Sequence, residues 1–445
     1  MTPPVRNVNP STFVVIGDGL AAGAGDFGLS EELQPFSFPA QIAHRLATPF
    51  PQPVMEAPGI GPVIGLPDLP VRLPQAMQTT VLKEFPPDGP FANLAIPGLT
   101  LADALTRRPT SPVIHRSDNL QTAINLILGI PGLLTAGSGP LPTQLEYAVA
   151  RQPTLALVAL GYFDVLGSAF TGNLSLLPAE AAFRANYASL LRPFAQMPTT
   201  VIVCTIPDPN DTAYFTPVSA AARVVKADPA VLSMLFQLSE NDTLTPTGLV
   251  EVGCRLIARA PSPLPDGSVV PGRIVEAISE RVQALNTHIR ALADEHGALV
   301  CDLHGLCRRI KREGLAVGPR TLTADYLGGV YSLNGVYPGA TGHGAIANSV
   351  IDLLNTTCGT SYLPVDLAEL AAWDPVAAYR LAEGPAVTLS DLAAMPPPAA
   401  APQPPTSEPL SVPTTAPAGR LTLPPGLEQE LPISFDASYV GDAQR

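Results

Sequence analysis

Five short and almost uninterrupted apolar runs constrain this chain most: Thr12–Gly17 (TFVVIG), Phe91–Ile96 (FANLAI), Thr154–Gly161 (TLALVALG), Thr200–Ile206 (TVIVCTI) and Ala298–Leu303 (ALVCDL). A strand with one face in water alternates polar and apolar residues, whereas runs like these fit strands covered on both faces, as in a parallel sheet. Between and after them lie helical patterns at Phe38–Leu46, Leu99–Arg107, Pro178–Gln196, Arg273–His296 and Ala340–Leu354. Strand and helix in alternation imply right-handed crossovers. The expected fold class is therefore α/β, a three-layer α/β/α sandwich around a central five-stranded parallel sheet.

Two long insertions interrupt the alternation. Residues 48–90 are rich in Pro and Gly and have no period, and residues 208–270 hold weak helical patterns and a Pro265-Asp266-Gly267 turn. Both are expected to cover one end of the sheet, where open α/β folds bind ligands. Proline accounts for 52 of 445 residues, about 12% against a usual ~5%. Part of that excess falls behind the folded region. Residues 357–395 read as a short helical extension, 396–426 as a Pro-rich disordered linker, and 427–445, where Leu, Ile, Phe and Tyr return among acidic residues, as a docking peptide or a frayed tail.

Charge narrows the functions. The net charge is −13 and only three of the 25 basic residues are lysines, with no basic stripe to neutralise a run of phosphates. Nucleic acid is excluded as a partner on that ground. No apolar run approaches the ~18–20 residues of a membrane span. The segment Met1–Pro10 lacks the basic and apolar parts of a signal peptide, so the sequence as written predicts a cytoplasmic protein, or an exported one if the start site is misassigned. The five cysteines form no C-x-x-C pair, and Cys204 and Cys301 sit in buried-strand patterns, which predicts reduced core thiols. The six histidines show no metal-ligand spacing, and neither metal nor cofactor is expected.

The turn after the first run, VVIGDGLAAGAG (Val14–Gly25), suggests a dinucleotide loop at first sight. Three features argue against it. Asp18 would set a negative charge where pyrophosphate belongs, the glycine-rich continuation is a poor helix, and no acidic residue ends a second strand some 20 residues on. Four segments read together point elsewhere. Ile16-Gly17-Asp18-Gly19-Leu20, Asn93-Leu94-Ala95-Ile96-Pro97-Gly98, Leu160-Gly161-Tyr162-Phe163-Asp164 and Tyr331-Ser332-Leu333-Asn334-Gly335-Val336-Tyr337-Pro338 lie at strand ends in this order. They resemble the four blocks of the SGNH (GDSL) esterase/lipase superfamily, and the likeness spans residues 11–356. It implies a flavodoxin-like sandwich and a site built from the four blocks.

The same resemblance shows what is replaced. The nucleophilic serine position holds Gly19, the oxyanion asparagine position holds Phe163, and the aspartate and histidine positions hold Asn334 and Tyr337. Acyl transfer needs a nucleophile, a base and oxyanion donors. Gly19 has no side chain to attack with, a phenol with a pKa near ~10 is a poor base at neutral pH, and Asn334 cannot balance an imidazolium. Only backbone N–H groups at Gly19 and Gly98 remain as oxyanion-type donors. The resemblance therefore implies a pseudoenzyme with no catalytic residues, whose vestigial cleft of Asp18, Gly19, Gly98, Phe163, Asn334 and Tyr337 is used for scaffolding or for binding an acyl, glycan or peptide group. A second reading is an ester or acyl-glycan hydrolase with relocated catalytic groups, for which Ser332 and His343 are the first candidates and Thr100 and His304 lesser ones. A third is an interaction protein that recruits a partner through its C-terminal tail.

Overall fold

The computed structural model describes residues 8–378 except 27, 58, 61–81, 84–89, 116–117, 131, 135–139 and 259–261. The chain divides at Pro397 into two units, of which only the first contains described residues. The expected linker 396–426, the segment 427–445 and residues 379–395 lie outside them.

Strand β1 (Phe13–Gly17) is followed by the one-turn helix α1 (Gly19–Ala22) and by α2 (Phe38–Arg45). Next come α3 (Leu101–Thr106), α4 (Asn119–Ile124) and α5 (Gln144–Ala150), then β2 (Leu155–Ala159), α6 (Tyr162–Thr171), α7 (Glu180–Leu191) and β3 (Thr200–Cys204). The insertion contributes β4 (Thr216–Pro217), α8 (Val218–Val225), α9 (Pro229–Phe236), β5 (Thr243–Leu244), α10 (Pro246–Ala258) and β6 (Val269–Val270). The frame resumes with α11 (Gly272–His296), β7 (Leu299–Cys301), α12 (Leu303–Glu313), the hairpin β8 (Leu315–Val317) and β9 (Arg320–Leu322), α13 (Ala340–Cys358), α14 (Leu367–Trp373) and α15 (Pro375–Ala378).

The central sheet is parallel throughout, in the order β1-β2-β3-β7. All five residues of β1 and of β2 are buried, as the unbroken apolar runs require. Helices α3, α6, α7 and α11 pack among themselves, and α2, α12, α13 and α14 form a second group, so helices flank the sheet in two layers. Local sequence explains the elements. Helix α11 buries Ile274, Ile278, Val282, Leu285, Ile289 and Leu292 at steps of three and four and stops at Gly297 in a left-handed conformation. Helices α3 and α5 each open with a capping box, Thr100 with Asp103 and Thr143 with Glu146.

The expected fifth strand, Phe91–Ile96, is corrected by the structure. It runs parallel beside β1 but forms only one isolated bridge, Val15 with Asn93. Three backbone hydrogen bonds join it to β1, from Val15 N to Ala92 O, Leu94 N to Val15 O and Ile96 N to Gly17 O. On its other side the Asn93 side chain anchors the segment locally, with Oδ1 accepting from Ala95 N and Nδ2 donating to Ala21 O. The regular sheet thus has four strands, with a bonded edge segment in place of the fifth.

Candidate functional site

The four blocks converge at the carboxyl end of the sheet. Strand β1 ends at Gly17, and the buried Gln144 side chain donates from Nε2 to both Gly17 O (2.9 Å) and Leu94 O (2.6 Å), locking the first two blocks together. Asp18 then caps α1. Its carboxylate accepts from Leu20 N (3.0 Å) and from Phe163 N (3.0 Å), which ties the end of β1 to the start of α6. Burial pushes its pKa up to about 6, against the pull of those two N–H groups. Asp18 is a structural clasp.

The third block turns at Gly161, whose φ of 109° favours glycine; an added Cβ would lie 2.7 Å from Ile206 Cδ1. Behind it, the Asp164 carboxylate accepts from Leu101 N (2.9 Å). Burial raises its pKa to about 7, with the charge of Asp18 adding to the rise. Phe163 is half-buried against the main core.

The fourth block is a tight loop around Asn334. Its Oδ1 accepts from Val336 N (2.8 Å) and Tyr337 N (2.9 Å), while its buried Nδ2 has no partner among the described residues. Gly335 is held by a bond from Tyr214 N to Gly335 O (2.8 Å), so the start of the 208–270 insertion reaches this block. Tyr337 is fully buried and turned onto Gly19: a Cβ placed on Gly19 would sit 2.7 Å from the Tyr337 ring carbon Cζ, and closer still to its hydroxyl. The ring packs edge-on against Tyr162 at 6.1 Å. Its hydroxyl has no partner among the described residues, and burial drives its pKa well above that of an ordinary tyrosine, with Asp18 adding to the rise. The volume a serine side chain would fill at position 19 is occupied by the Tyr337 phenol.

The structure therefore brings Asp18, Gly19, Gly98, Phe163, Asn334 and Tyr337 to one end of the sheet, with all of them buried except Phe163. It does not assemble the alternative pair. Ser332 Oγ accepts from Asp26 N (3.1 Å). His343 belongs to α13, where Nδ1 accepts from Phe38 N (3.3 Å) and the ring stacks on Phe38 at 6.1 Å. No hydrogen bond joins Ser332 to His343 among the described residues, and burial lowers the His343 pKa to about 3, too weak a base for work at neutral pH. Thr100 is spent in its capping box, and His304 N donates to Thr205 Oγ1 at the start of α12. Four of the five cysteines are buried, and no cluster of three or more metal-ligand side chains occurs among the described residues. No helix there is long and apolar enough to cross a membrane. Sequence reasoning missed Gln144 and Tyr162; a buried glutamine that bridges strand ends leaves no local signal.

No protein-family profile and no curated protein matches the chain. Among solved structures it is similar to an alpha/beta hydrolase enzyme from the metagenome of Lake Arreo, Spain, at 14% identity over 80% of this chain and 99% of that one, with a TM-score of 0.35. It is also similar to a putative GDSL-like lipase from Parabacteroides merdae (12% identity, 80% and 99% covered, TM-score 0.35). A third neighbour is an acetylxylan esterase from Geobacillus stearothermophilus (11% identity, 79% and 95% covered, TM-score 0.35). With similarity this low, the α/β fold rests on the strand order and register of the chain itself.

Proposed function

We propose that this protein is a catalytically silent relative of the SGNH (GDSL) ester hydrolases, in which the nucleophile pocket has become packed interior and the domain serves as a scaffold. The observation that carries this reading is the Tyr337 ring seated over Gly19. A glycine cannot attack, a buried phenol with a raised pKa cannot act as the base, and Asn334 spends its oxygen on the loop that presents Tyr337. Loss of nucleophile or base alone costs on the order of 10⁶ in rate, after which further losses add little. A scaffold of this kind acts through what it holds, either an acyl, glycan or peptide group beside Phe163 or a protein partner recruited by residues 427–445.

Hydrolysis of p-nitrophenyl acetate and butyrate tests the reading. The unmodified protein should not exceed buffer, and combining Gly19→Ser, Phe163→Asn, Asn334→Asp and Tyr337→His should create activity in a folded variant. Hydrolysis by the unmodified protein that Ser332→Ala abolishes, or fluorophosphonate labelling of any of its serines, would overturn it in favour of a relocated active site.

A further inference from the structure

Strands β3 and β7 end on facing thiols. Their parallel register pairs Cys204 with Cys301, the last residue of each strand, so the two side chains leave the same face of the sheet. Both are buried, and the Cys204 thiol donates a hydrogen bond to the Cys301 sulfur. Cys301 Sγ also lies 3.6 Å from Ser349 Oγ on α13. Neighbouring strands stand about 4.8 Å apart, inside the Cα separation of about 4.4–6.8 Å that a disulfide spans.

The two thiols are not equivalent. Hydrogen bonds from Cys204 and then from the Ser349 hydroxyl hold the Cys301 thiol below its ordinary pKa, against the pull of burial. Donation to Cys301, with burial added, pushes Cys204 well above it. At Cys307 burial pushes the thiol up to about 12. The thiolate is the reactive form, so Cys301 is the attacking sulfur and Cys204 the one placed to follow it.

The setting allows the pair to react. Strand β7 is three residues long and forms an edge of the sheet. The residue after Cys301 is Asp302, whose side chain is 51% exposed, so local opening of the strand end admits a small oxidant without opening the core. Favoured disulfides hold their Cβ atoms near ~3.8 Å, closer than a parallel ladder sets them, and the edge strand has to draw in. Strained disulfides are the readily reduced ones.

We propose that Cys204 and Cys301 form a peroxide-sensitive pair, converted by hydrogen peroxide to a cross-strand disulfide and returned to two thiols by a dithiol reductant. The Cys301 thiolate attacks one peroxide oxygen, the O–O bond breaks and hydroxide leaves, giving a sulfenic acid. The Cys204 sulfur then attacks that sulfur and the S–O bond breaks. Each thiol proton ends on a departing oxygen, so two thiols and one peroxide give one disulfide and two waters. The bond closes a loop that holds the 208–270 insertion and α11 and pins both ends of that segment to the sheet.

The test uses full-length Cys254→Ser protein, which lacks the exposed thiol. It is treated in native buffer with hydrogen peroxide and a chelator until the exposed Met234 has become its sulfoxide, then denatured, alkylated and digested. One linked peptide pair, Cys204 to Cys301, should appear, two hydrogens lighter than the reduced peptides, and dithiothreitol should restore both thiols. In the same background, dimedone should trap a sulfenic acid on Cys301 when Cys204→Ser is added, and should leave Cys204 unlabelled when Cys301→Ser is added. The peptide map of the parent decides the matter even where these variants fail to fold. Recovery of Cys204 and Cys301 as alkylated thiols beside oxidised Met234 overturns the proposal. So does a link from either one to Cys307 or Cys358, or dimedone labelling of Cys204 instead of Cys301.

Discussion

The carboxyl end of the sheet and the insertion that follows β3 depart from ordinary packing in opposite senses. The first buries polar atoms that have no partner among the described residues, Tyr337 Oη, Asn334 Nδ2 and, on α13 nearby in sequence, His343 Nε2. The second leaves apolar groups in water, with Met234 59% and Ile257 80% exposed. Both arrangements cost free energy, because a buried donor forfeits its water and an exposed alkyl group never leaves it. The difference teaches where to look for a missing component. At the sheet end the loss we propose is a chemical one, a catalytic set exchanged for residues that fit sterically and satisfy each other incompletely. At the insertion, apolar side chains stay exposed among the described residues.

Breaking the clasp that holds the sheet end together should have the largest effect. Asp18→Ala leaves Leu20 N and Phe163 N without their buried acceptor and should lower stability by about 2–5 kcal/mol, read from the urea midpoint at pH 7, since each stranded buried group costs about 1–3 kcal/mol. A change under 1 kcal/mol would show that the two N–H groups find water instead. Gly19→Ser alone should destabilise by about 1–3 kcal/mol, because the new side chain overlaps the Tyr337 phenol. Adding Tyr337→His should restore most of that loss, and simple additivity of the two changes would contradict the steric pairing.

The pH dependence bears on the same contrast, because Asp18 and Asp164 are buried at the sheet end and Asp211 at the start of the insertion. Asp18 and Asp211, at about 6, and Asp164, at about 7, lie above an ordinary aspartate mainly through burial. Folding therefore takes up their protons, and the stability they contribute is complete below about pH 4 and lost as pH rises through 6 and 7. His343, held near 3 by burial, acts in the opposite sense between about pH 6.5 and 3. Three carboxyls outweigh one imidazole, so the urea midpoint should be higher at pH 5 than at pH 8. A midpoint that climbs across that interval would contradict the burial of these acids.

The smallest effect carries an unusual sign. Tyr337→Phe removes a buried hydroxyl without a partner and should be neutral or stabilise by up to about 1 kcal/mol. A loss above 1 kcal/mol would reveal a hydrogen bond at that oxygen. Ile257→Ser belongs at this end of the scale too, with less than about 0.5 kcal/mol of change in a dilute sample, where the side chain is in water.

Much of the frame was legible in the chain. Unbroken apolar runs mark β1, β2, β3 and β7 because strands covered on both faces have no polar side to show. The helices at Phe38, Leu101, Glu180, Gly272 and Ala340 follow from apolar steps of three and four and from caps such as Thr100 with Asp103. Less regular elements were not legible. Helix α6 begins inside the third block with no side-chain cap, and α12, an alternation of basic and apolar residues after Asp302, is obscured by the strand just before it. The expected fifth strand is apolar enough and keeps three backbone hydrogen bonds to β1, yet it pairs with it through only one bridge.

At the site, the order of the blocks and the identities of Gly19, Phe163, Asn334 and Tyr337 were all in the sequence. Only the folded chain could decide whether those replacements leave an open cleft or a filled one. Positions 19 and 337 lie far apart in the sequence, and nothing local to either says that a tyrosine ring lies where a serine side chain would begin. Secondary structure follows from periodicities a few residues long. Complementarity between a missing side chain and an oversized one depends on distances that exist only after β1 and the loop before α13 have been brought to the same end of the sheet.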